Sequence, residues 1–163
     1  MTRHLSHGRL LSTMLIVLLL TLGCGATDAQ DDVPDRRTIA GLDPDLLTAV
    51  QAARRDARDD GVRMVVTSGW RSPAHQQRLF DEAVLGYGSE EEASRWVSTP
   101  DTSAHVTGDA VDIGPRDADH WLSQHGSDYG LCQVFANEVW HFELATTPGG
   151  TCPDMLPDSS SRG

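Results

Sequence analysis

The chain has 163 residues, enough for one folded domain of ordinary size and too few for two domains with separate hydrophobic cores. Its composition, 39% hydrophobic and 23% charged residues, excludes a wholly disordered chain and a collagen-like or coiled-coil chain. The formal net charge of −11 argues against a nucleic-acid binder, because such a protein needs a basic face.

The N-terminal residues have the layout of a secretory signal peptide. Basic residues precede an apolar run from Leu10 to Leu22. This run is shorter than the about 20 apolar residues that a membrane-spanning helix needs, whereas it fits the apolar region of a secretory signal. We therefore predict that residues 1–23 are a signal peptide and that the protein is exported.

The residues around the predicted cleavage point resemble a bacterial lipobox. A small residue precedes Cys24, and Thr21 stands where Leu is usual. We expect Cys24 to be acylated, which makes the protein a lipoprotein on the outer face of the cytoplasmic membrane. Residues 24–37 are polar and acidic and would then form a tether. The alternative is ordinary cleavage near Ala26 or Ala29, which would release a secreted protein.

The rest of the chain alternates between helical and extended patterns. Apolar residues at helical spacing predict helices over residues 43–61, 72–88, 90–97 and 117–125. Short runs of β-branched or alternating apolar residues predict strands over 62–68, 110–114 and 139–145. This order is typical of an α+β domain with a small, mostly antiparallel sheet flanked by helices. We place the domain at residues 38–156, with Trp70 and Trp140 in its core, and expect a loose tail over 157–163.

Two cysteines remain once Cys24 is set aside. In an oxidising, exported compartment, Cys132 and Cys152 are expected to form one disulfide bond. Metal binding by their thiolates is the alternative, but a structural zinc site usually has a tighter Cys-x-x-Cys spacing. The sequence therefore predicts a disulfide.

Two motifs place metal-ligating side chains within an otherwise apolar pattern. The first, S-x-H-x-x-G-x-A-x-D, contains Ser103, His105 and Asp112, and the second, E-x-W-H, contains Glu138 and His141. Two imidazoles and one carboxylate can bind zinc and leave a coordination position open for water. We predict that His105, Asp112 and His141 bind one Zn²⁺ per chain and that Glu138 is the general base.

Attack of a metal-activated water on a carbonyl also needs a positive group for the negative charge that develops on the carbonyl oxygen. Arg71 is the candidate, because a guanidinium is always charged and donates two parallel hydrogen bonds. It could instead bind a terminal carboxylate of the substrate or form an ordinary surface ion pair. Ser103 and Gln76 are candidate hydrogen-bond donors to the peptide.

With these motifs the sequence resembles the zinc D,D-carboxypeptidases and D,D-dipeptidases of the VanY and M15 peptidase family, over about residues 61–144. The segment S-G-W-R-S followed by Gln76 resembles the family's S-G-Y-R-S-x-x-x-Q segment, with Trp70 in place of Tyr. The resemblance implies a central antiparallel sheet flanked by helices, a single zinc ion on the ligands named above, and bacterial cell-wall peptides as substrates. The stretch between Asp112 and Glu138 is shorter than in many members, so the peptide preference can differ.

The sequence thus predicts an exported, monomeric zinc D,D-carboxypeptidase that hydrolyses the D-Ala-D-Ala ends of peptidoglycan stem peptides. A D,D-dipeptidase or a cell-wall endopeptidase on the same scaffold is the first alternative. A non-catalytic, zinc-containing module that binds cell-wall peptides is the second, and the presence of Glu138 argues against it. Membrane contact is expected only through the lipid anchor at Cys24.

Overall fold

Helices and one small sheet make up the part of the chain that the computed structural model describes, residues 39–162. The helices within this range are α1 (Pro44–Asp59), α2 (Pro73–Tyr87), α3 (Glu90–Ser94), α4 (Ala104–Thr107) and α5 (Arg116–His125), with 3₁₀ turns at Gly126–Tyr129 and Ser159–Arg162. The strands are β1 (Val65–Ser68), β2 (Ala110–Gly114), β3 (Leu131–Gln133) and β4 (His141–Leu144). None of these helices is long and apolar enough to cross a membrane. The predictions on the signal peptide, Cys24 and the tether lie outside the described residues.

The four strands form one antiparallel sheet in the order β1-β2-β4-β3. All five residues of β2 are buried, and its register sets Asp112 opposite His141 of β4 and opposite Ser68 of β1. The α+β class with a small antiparallel sheet is therefore confirmed.

The hydrophobic core covers one face of the sheet. Because successive side chains of a strand point to opposite faces, Val111 and Ile113 lie on the core face, where Phe142 of β4 joins them. Helices α1 and α5 pack over this face through apolar residues that include Leu46, Val50, Trp121 and Leu122. The opposite face of β2 carries Asp112, so the core and the polar motif residues lie on different sides of the sheet.

Polar caps fix where the long helices begin. The Asp43 side chain accepts hydrogen bonds from the backbone N–H groups of Asp45 and Leu46, at 2.8 and 3.1 Å, and Pro44 occupies the first position of α1. Ser72 caps α2 in the same way, and Gly88, with φ of 87°, ends it. The predicted limits of both helices agree with the structure to within a few residues. Helix α3 is shorter than predicted, since it ends at Ser94.

The residues after Leu156 are ordered, so the prediction of a loose tail is wrong for residues 158–162. Asp158 and Ser159 are buried. Asp158 pairs with Arg95 at 3.1 Å, and the Ser159 hydroxyl donates to the Ser94 carbonyl at 2.7 Å. The polar composition that suggested an exposed tail instead supplies the hydrogen bonds that hold this segment against α3.

The predicted disulfide between Cys132 and Cys152 is present, with the two Cα atoms 5.7 Å apart. It ties β3 to the segment that follows β4. Two short elements were not predicted, the three-residue strand β3 and the four-residue helix α4.

Candidate metal centre and catalytic cleft

Three predicted metal ligands from three different elements come together on the polar side of the sheet. His105 lies in α4, Asp112 in the middle of β2, and His141 at the start of β4, and all three are buried. Their ligand atoms all lie within 4.8 Å of one another. Asp112 Oδ1 is 3.3 Å from His105 Nε2 and 3.4 Å from His141 Nδ1.

Gly108 explains why the first motif contains a glycine between the histidine and the aspartate. It ends α4 in the left-handed conformation, with φ of 89°, which favours glycine. A Cβ atom at this position would collide with the carbonyl oxygen of Gly41, and the Gly108 carbonyl accepts a hydrogen bond from Asp43 at 2.9 Å. This close contact anchors the helix that carries His105 to the start of α1.

The hydrogen bonds of the two imidazoles determine which ring nitrogen is free. His105 Nδ1 lies 2.8 Å from the Gly69 carbonyl oxygen, and His141 Nε2 lies 2.7 Å from Glu143 Oε1. Both oxygens only accept hydrogen bonds, so these nitrogens carry the protons. In the neutral imidazoles, His105 Nε2 and His141 Nδ1 then present lone pairs to Asp112.

Three acceptors that face one another in a buried site favour a positive charge between them, from a proton or from a metal ion. Asp112 Oδ1 and His141 Nδ1 are among the buried atoms of the described residues that have no hydrogen-bond partner. Burial opposes ionisation of Asp112, but the two imidazoles and Arg71 outweigh it and hold the pKa of Asp112 well below its usual range. Burial likewise opposes protonation of His141, but Asp112 and Glu143 raise its pKa to about 9. The site therefore favours positive charge, and its donor set fits a metal ion.

Arg71 binds the second oxygen of Asp112. Its Nη2 donates to Asp112 Oδ2 at 2.6 Å. Its Nε donates to the Ser68 hydroxyl at 2.9 Å, and its Nη1 donates to Gln76 Oε1 at 3.2 Å. Gln76 is buried and donates to the Ser98 carbonyl at 2.8 Å, so it holds Arg71 in place.

Glu138 lies between β3 and β4 on the wall of the cleft. It is buried, and its Oε1 has no hydrogen-bond partner among the described residues. Burial raises the pKa of Glu138 to about 7. Asp112 also raises this pKa, while His141, Arg71 and a hydrogen bond with Ser159 lower it. A carboxylate with a pKa near neutrality suits proton transfer at neutral pH.

The cleft that joins these groups has a volume of about 220 Å³, and Ser103, the N-cap residue just before α4, also lines it. Two tryptophans form part of its wall, Trp96 and Trp140, which are 42% and 38% exposed. Trp70 is 41% exposed and donates its indole N–H to the Val106 carbonyl at 3.1 Å. The prediction that Trp70 and Trp140 belong to the core is therefore wrong.

Sequence reasoning missed two residues beside the metal-competent cluster. Glu143 accepts the hydrogen bond from His141, and Arg162 binds Glu143 through two hydrogen bonds. The alternation of β4 places Glu143 on the same side as His141, which was a usable signal. The composition around Arg162 gave no such signal.

A model of the VanY family, described as D-alanyl-D-alanine carboxypeptidase, matches residues 40–147. The chain belongs to the VanY family. A curated relative from Enterococcus faecalis, named D-alanyl-D-alanine carboxypeptidase, is 33% identical over 120 residues. That match covers 58% of this chain and 45% of the relative, so the chain spans less than half of the relative's length.

Two solved structures of the same family are similar to this fold. The vancomycin resistance D,D-pentapeptidase VanY from a VanB-type resistance cassette, in complex with Zn(II), is 28% identical with a TM-score of 0.59, and the match covers 67% of this chain and 73% of that one. VanYB in complex with D-Alanine-D-Alanine is also 28% identical with a TM-score of 0.59, and the match covers 63% of this chain and 70% of that one. Both matches agree with the fold that the resemblance implied.

We predict that Glu138 destabilises the metal-free fold above neutral pH. Its pKa rises from an ordinary value of 4.5 to about 7 in the folded protein, so the folded state binds this proton more tightly than the unfolded state. The free energy of unfolding therefore decreases as the pH rises from about 4.5 through about 7. Glu138→Gln removes the charge and keeps the shape of the side chain.

The measurement is the urea midpoint of unfolding with a chelator present. At pH 8 the Glu138→Gln variant should unfold at a higher urea concentration than the parent, and the difference should shrink as the pH falls toward 4.5. Equal midpoints at pH 8 would contradict the burial of a charged Glu138.

Proposed function

We propose that this protein is a zinc-dependent D,D-carboxypeptidase that hydrolyses the D-Ala-D-Ala ends of peptidoglycan stem peptides. The observation that carries the proposal is the convergence of three buried acceptor atoms, from His105, Asp112 and His141, beside the buried Glu138 in an open cleft. Family membership and the D-Ala-D-Ala complex of VanYB support the same substrate class.

Zinc is the metal that best suits this donor set. His105 Nε2, His141 Nδ1 and one oxygen of Asp112 would hold it, and two imidazole nitrogens disfavour calcium and magnesium, which prefer oxygen ligands. The VanY structure described above contains Zn(II). A zinc ion in this site would supply Lewis acidity, which polarises a carbonyl group and makes water a nucleophile at neutral pH.

The side chains around the site supply proton transfer and charge stabilisation. Glu138 has an unpartnered Oε1 on the cleft wall, where it takes the proton of the attacking water and passes it to the leaving amine. Arg71 provides a positive charge on the same cleft, which stabilises negative charge on the reacting carbonyl oxygen. Its bonds to Asp112, Ser68 and Gln76 keep the guanidinium oriented before substrate binds.

The decisive experiment incubates the zinc-loaded protein with a pentapeptide that ends in D-Ala-D-Ala, and in parallel with the free dipeptide, and identifies products by mass spectrometry. Release of D-Ala from the pentapeptide is the expected result. Cleavage of the free dipeptide alone would replace the proposal with a D,D-dipeptidase, and an internal cut would replace it with an endopeptidase. Binding of the pentapeptide without any product would instead indicate a non-catalytic module.

Two variants serve as controls for that assay, because they separate metal binding from proton transfer. His105→Ala removes a ligand, so it should lose both zinc and activity. Glu138→Gln should keep stoichiometric zinc and lose turnover. Full activity in Glu138→Gln would show that another group is the base.

The role of Arg71 separates into two kinetic outcomes. If Arg71 stabilises the charge that develops during reaction, Arg71→Ala should lower kcat by roughly 10²–10³, with a smaller change in KM. A rise in KM at nearly constant kcat would instead assign Arg71 to a terminal carboxylate that substrate and transition state share. Arg71→Lys should rescue activity only in part, because an ammonium lacks the planar pair of donors.

Arg71 also contacts Asp112, so the zinc content of each variant is measured alongside the kinetics. Unchanged kcat and KM at full zinc occupancy would remove Arg71 from the reaction. A parallel loss of zinc and activity would make it a support for the ligand instead.

We also propose that Cys24 anchors the protein to the outer face of the cytoplasmic membrane. Two acyl chains on one cysteine give stable attachment where one chain is marginal. The protein should then fractionate with membranes, and Cys24→Ser should release it while the purified variant keeps its activity. Recovery of the parent protein wholly from the culture medium would contradict the anchor and favour plain secretion.

A further inference from the structure

The segment Ser159–Arg162 reaches the metal-competent cluster, although the proposed mechanism assigns it no role. Arg162 donates from Nη1 to Glu143 Oε1 at 2.7 Å and from Nη2 to Glu143 Oε2 at 2.9 Å. Parallel hydrogen bonds of this kind fix both the position and the plane of the carboxylate. Both side chains are largely shielded from solvent, with 26% and 14% of their surface exposed.

The same carboxylate binds the imidazole of His141. Glu143 Oε1 accepts the His141 Nε2 proton at 2.7 Å, so a continuous chain of hydrogen bonds runs from Arg162 through Glu143 to His141. Packing contacts through Phe135 also connect Arg162 to the imidazole of His141. The Arg162 guanidinium lies 4.9 Å from the centre of the Phe135 ring, which lies 5.2 Å from that of His141.

We propose that Arg162 is a positioning residue for the metal site, acting through Glu143 on His141. A neutral imidazole can carry its proton on either nitrogen, and only the tautomer with the proton on Nε2 leaves Nδ1 free for the metal. Glu143 selects that tautomer by accepting the Nε2 proton, and Arg162 holds Glu143 in the orientation that does so. The proposal rests on the zinc site of the proposed function.

The segment that carries Arg162 is itself fixed. The Ser159 hydroxyl donates to the Ser94 carbonyl at 2.7 Å, and Asp158 pairs with Arg95 at 3.1 Å. Upstream, Leu156 exchanges backbone hydrogen bonds with residues 134 and 136 on either side of Phe135. These contacts therefore fix the backbone of the segment from which the Arg162 side chain reaches Glu143.

Arg162 also lines the cleft, so a direct contact with a substrate carboxylate is the competing role. The geometry favours positioning, because both terminal nitrogens of the guanidinium donate to Glu143 and its central carbon lies over the Phe135 ring. The two roles differ in what they change. A substrate contact alters KM and leaves zinc affinity unchanged, whereas a positioning role alters zinc affinity in the absence of substrate.

The test measures zinc affinity by competition with a chromophoric chelator, without substrate. Arg162→Ala should bind zinc several-fold more weakly than the parent, below the roughly 10- to 100-fold loss expected when the direct partner of a metal-bound histidine is removed. Arg162→Lys should fall between the two, because it restores the charge without the parallel hydrogen bonds. Arg55→Ala, which removes an exposed arginine of α1, is the matched control and should leave the affinity unchanged.

A double-variant comparison tests whether the effect passes through Glu143. Glu143→Gln keeps an oxygen that accepts from His141 but removes the charge that binds Arg162. Adding Arg162→Ala to Glu143→Gln should therefore weaken zinc binding little further. The absorption spectrum of the cobalt-substituted protein should shift in Arg162→Ala and remain unchanged in Arg55→Ala, because it reports ligand geometry.

Equal zinc affinity in Arg162→Ala and the parent, or fully additive effects in the double variant, would overturn the inference. If Arg162→Ala does not fold, as judged by circular dichroism of the metal-free protein, the affinity and cobalt spectrum of Arg162→Lys decide in its place. Failure of the parent itself to bind zinc would overturn both the proposed zinc function and this inference. If the parent binds zinc and the variant binds it equally well, only this inference is overturned.

Discussion

The pairing of β2 with β4 is the constraint on which the rest of the site depends. It sets Asp112 directly opposite His141, and their neighbours Val111 and Phe142 are paired in the same register on the core face. A slip of one residue would turn the polar side chains into the core and the apolar ones into the cleft. The hydrophobic core therefore fixes the register, and the register places two of the three metal-ligand atoms together.

Two arginine–carboxylate pairs flank the cluster and contact it in different ways. Arg71 binds Asp112, a proposed ligand, whereas Arg162 binds Glu143, which is hydrogen-bonded to His141, another proposed ligand. In each pair the arginine compensates the negative charge of a carboxylate that is largely shielded from solvent, where an unpaired charge would destabilise the fold. No arginine among residues 39–162 forms an ion pair with Glu138, and burial is the largest influence on its pKa. Although burial opposes ionisation, hydrogen bonds and nearby charges hold the pKa values of Asp112 and Glu143 below their usual range, whereas burial raises the pKa of Glu138.

The strand period was sufficient to predict which side chains of β2 and β4 share the polar face of the sheet, whereas His105 was indicated only by the spacing of the first motif. His141 and Glu143 alternate with Trp140, Phe142 and Leu144, and an alternating pattern can be read without knowing the partner strand. The three-residue strand β3 and the helix α4, which has little more than one turn, are too short to show a strand or helix period, so they were missed. Arg162 was missed for a different reason. Its partner lies 19 residues away along the chain and its own neighbours are serines, so only the folded structure shows that it bonds to the metal-competent cluster.

Separate ties hold the two halves of the site. The half that carries His105 is tied to α1, because Gly108 leaves room for the backbone of Gly41 and accepts a hydrogen bond from Asp43. The other half is enclosed by the disulfide between Cys132 and Cys152, and the loop it closes contains Glu138, His141 and Glu143. Closing that loop restricts the unfolded chain in the region that must order Glu138, His141 and the carboxylate partner of His141. Arg71 connects the half that carries His105 to the centre of the sheet, since it binds Asp112 and its own backbone N–H donates to the carbonyl of His105.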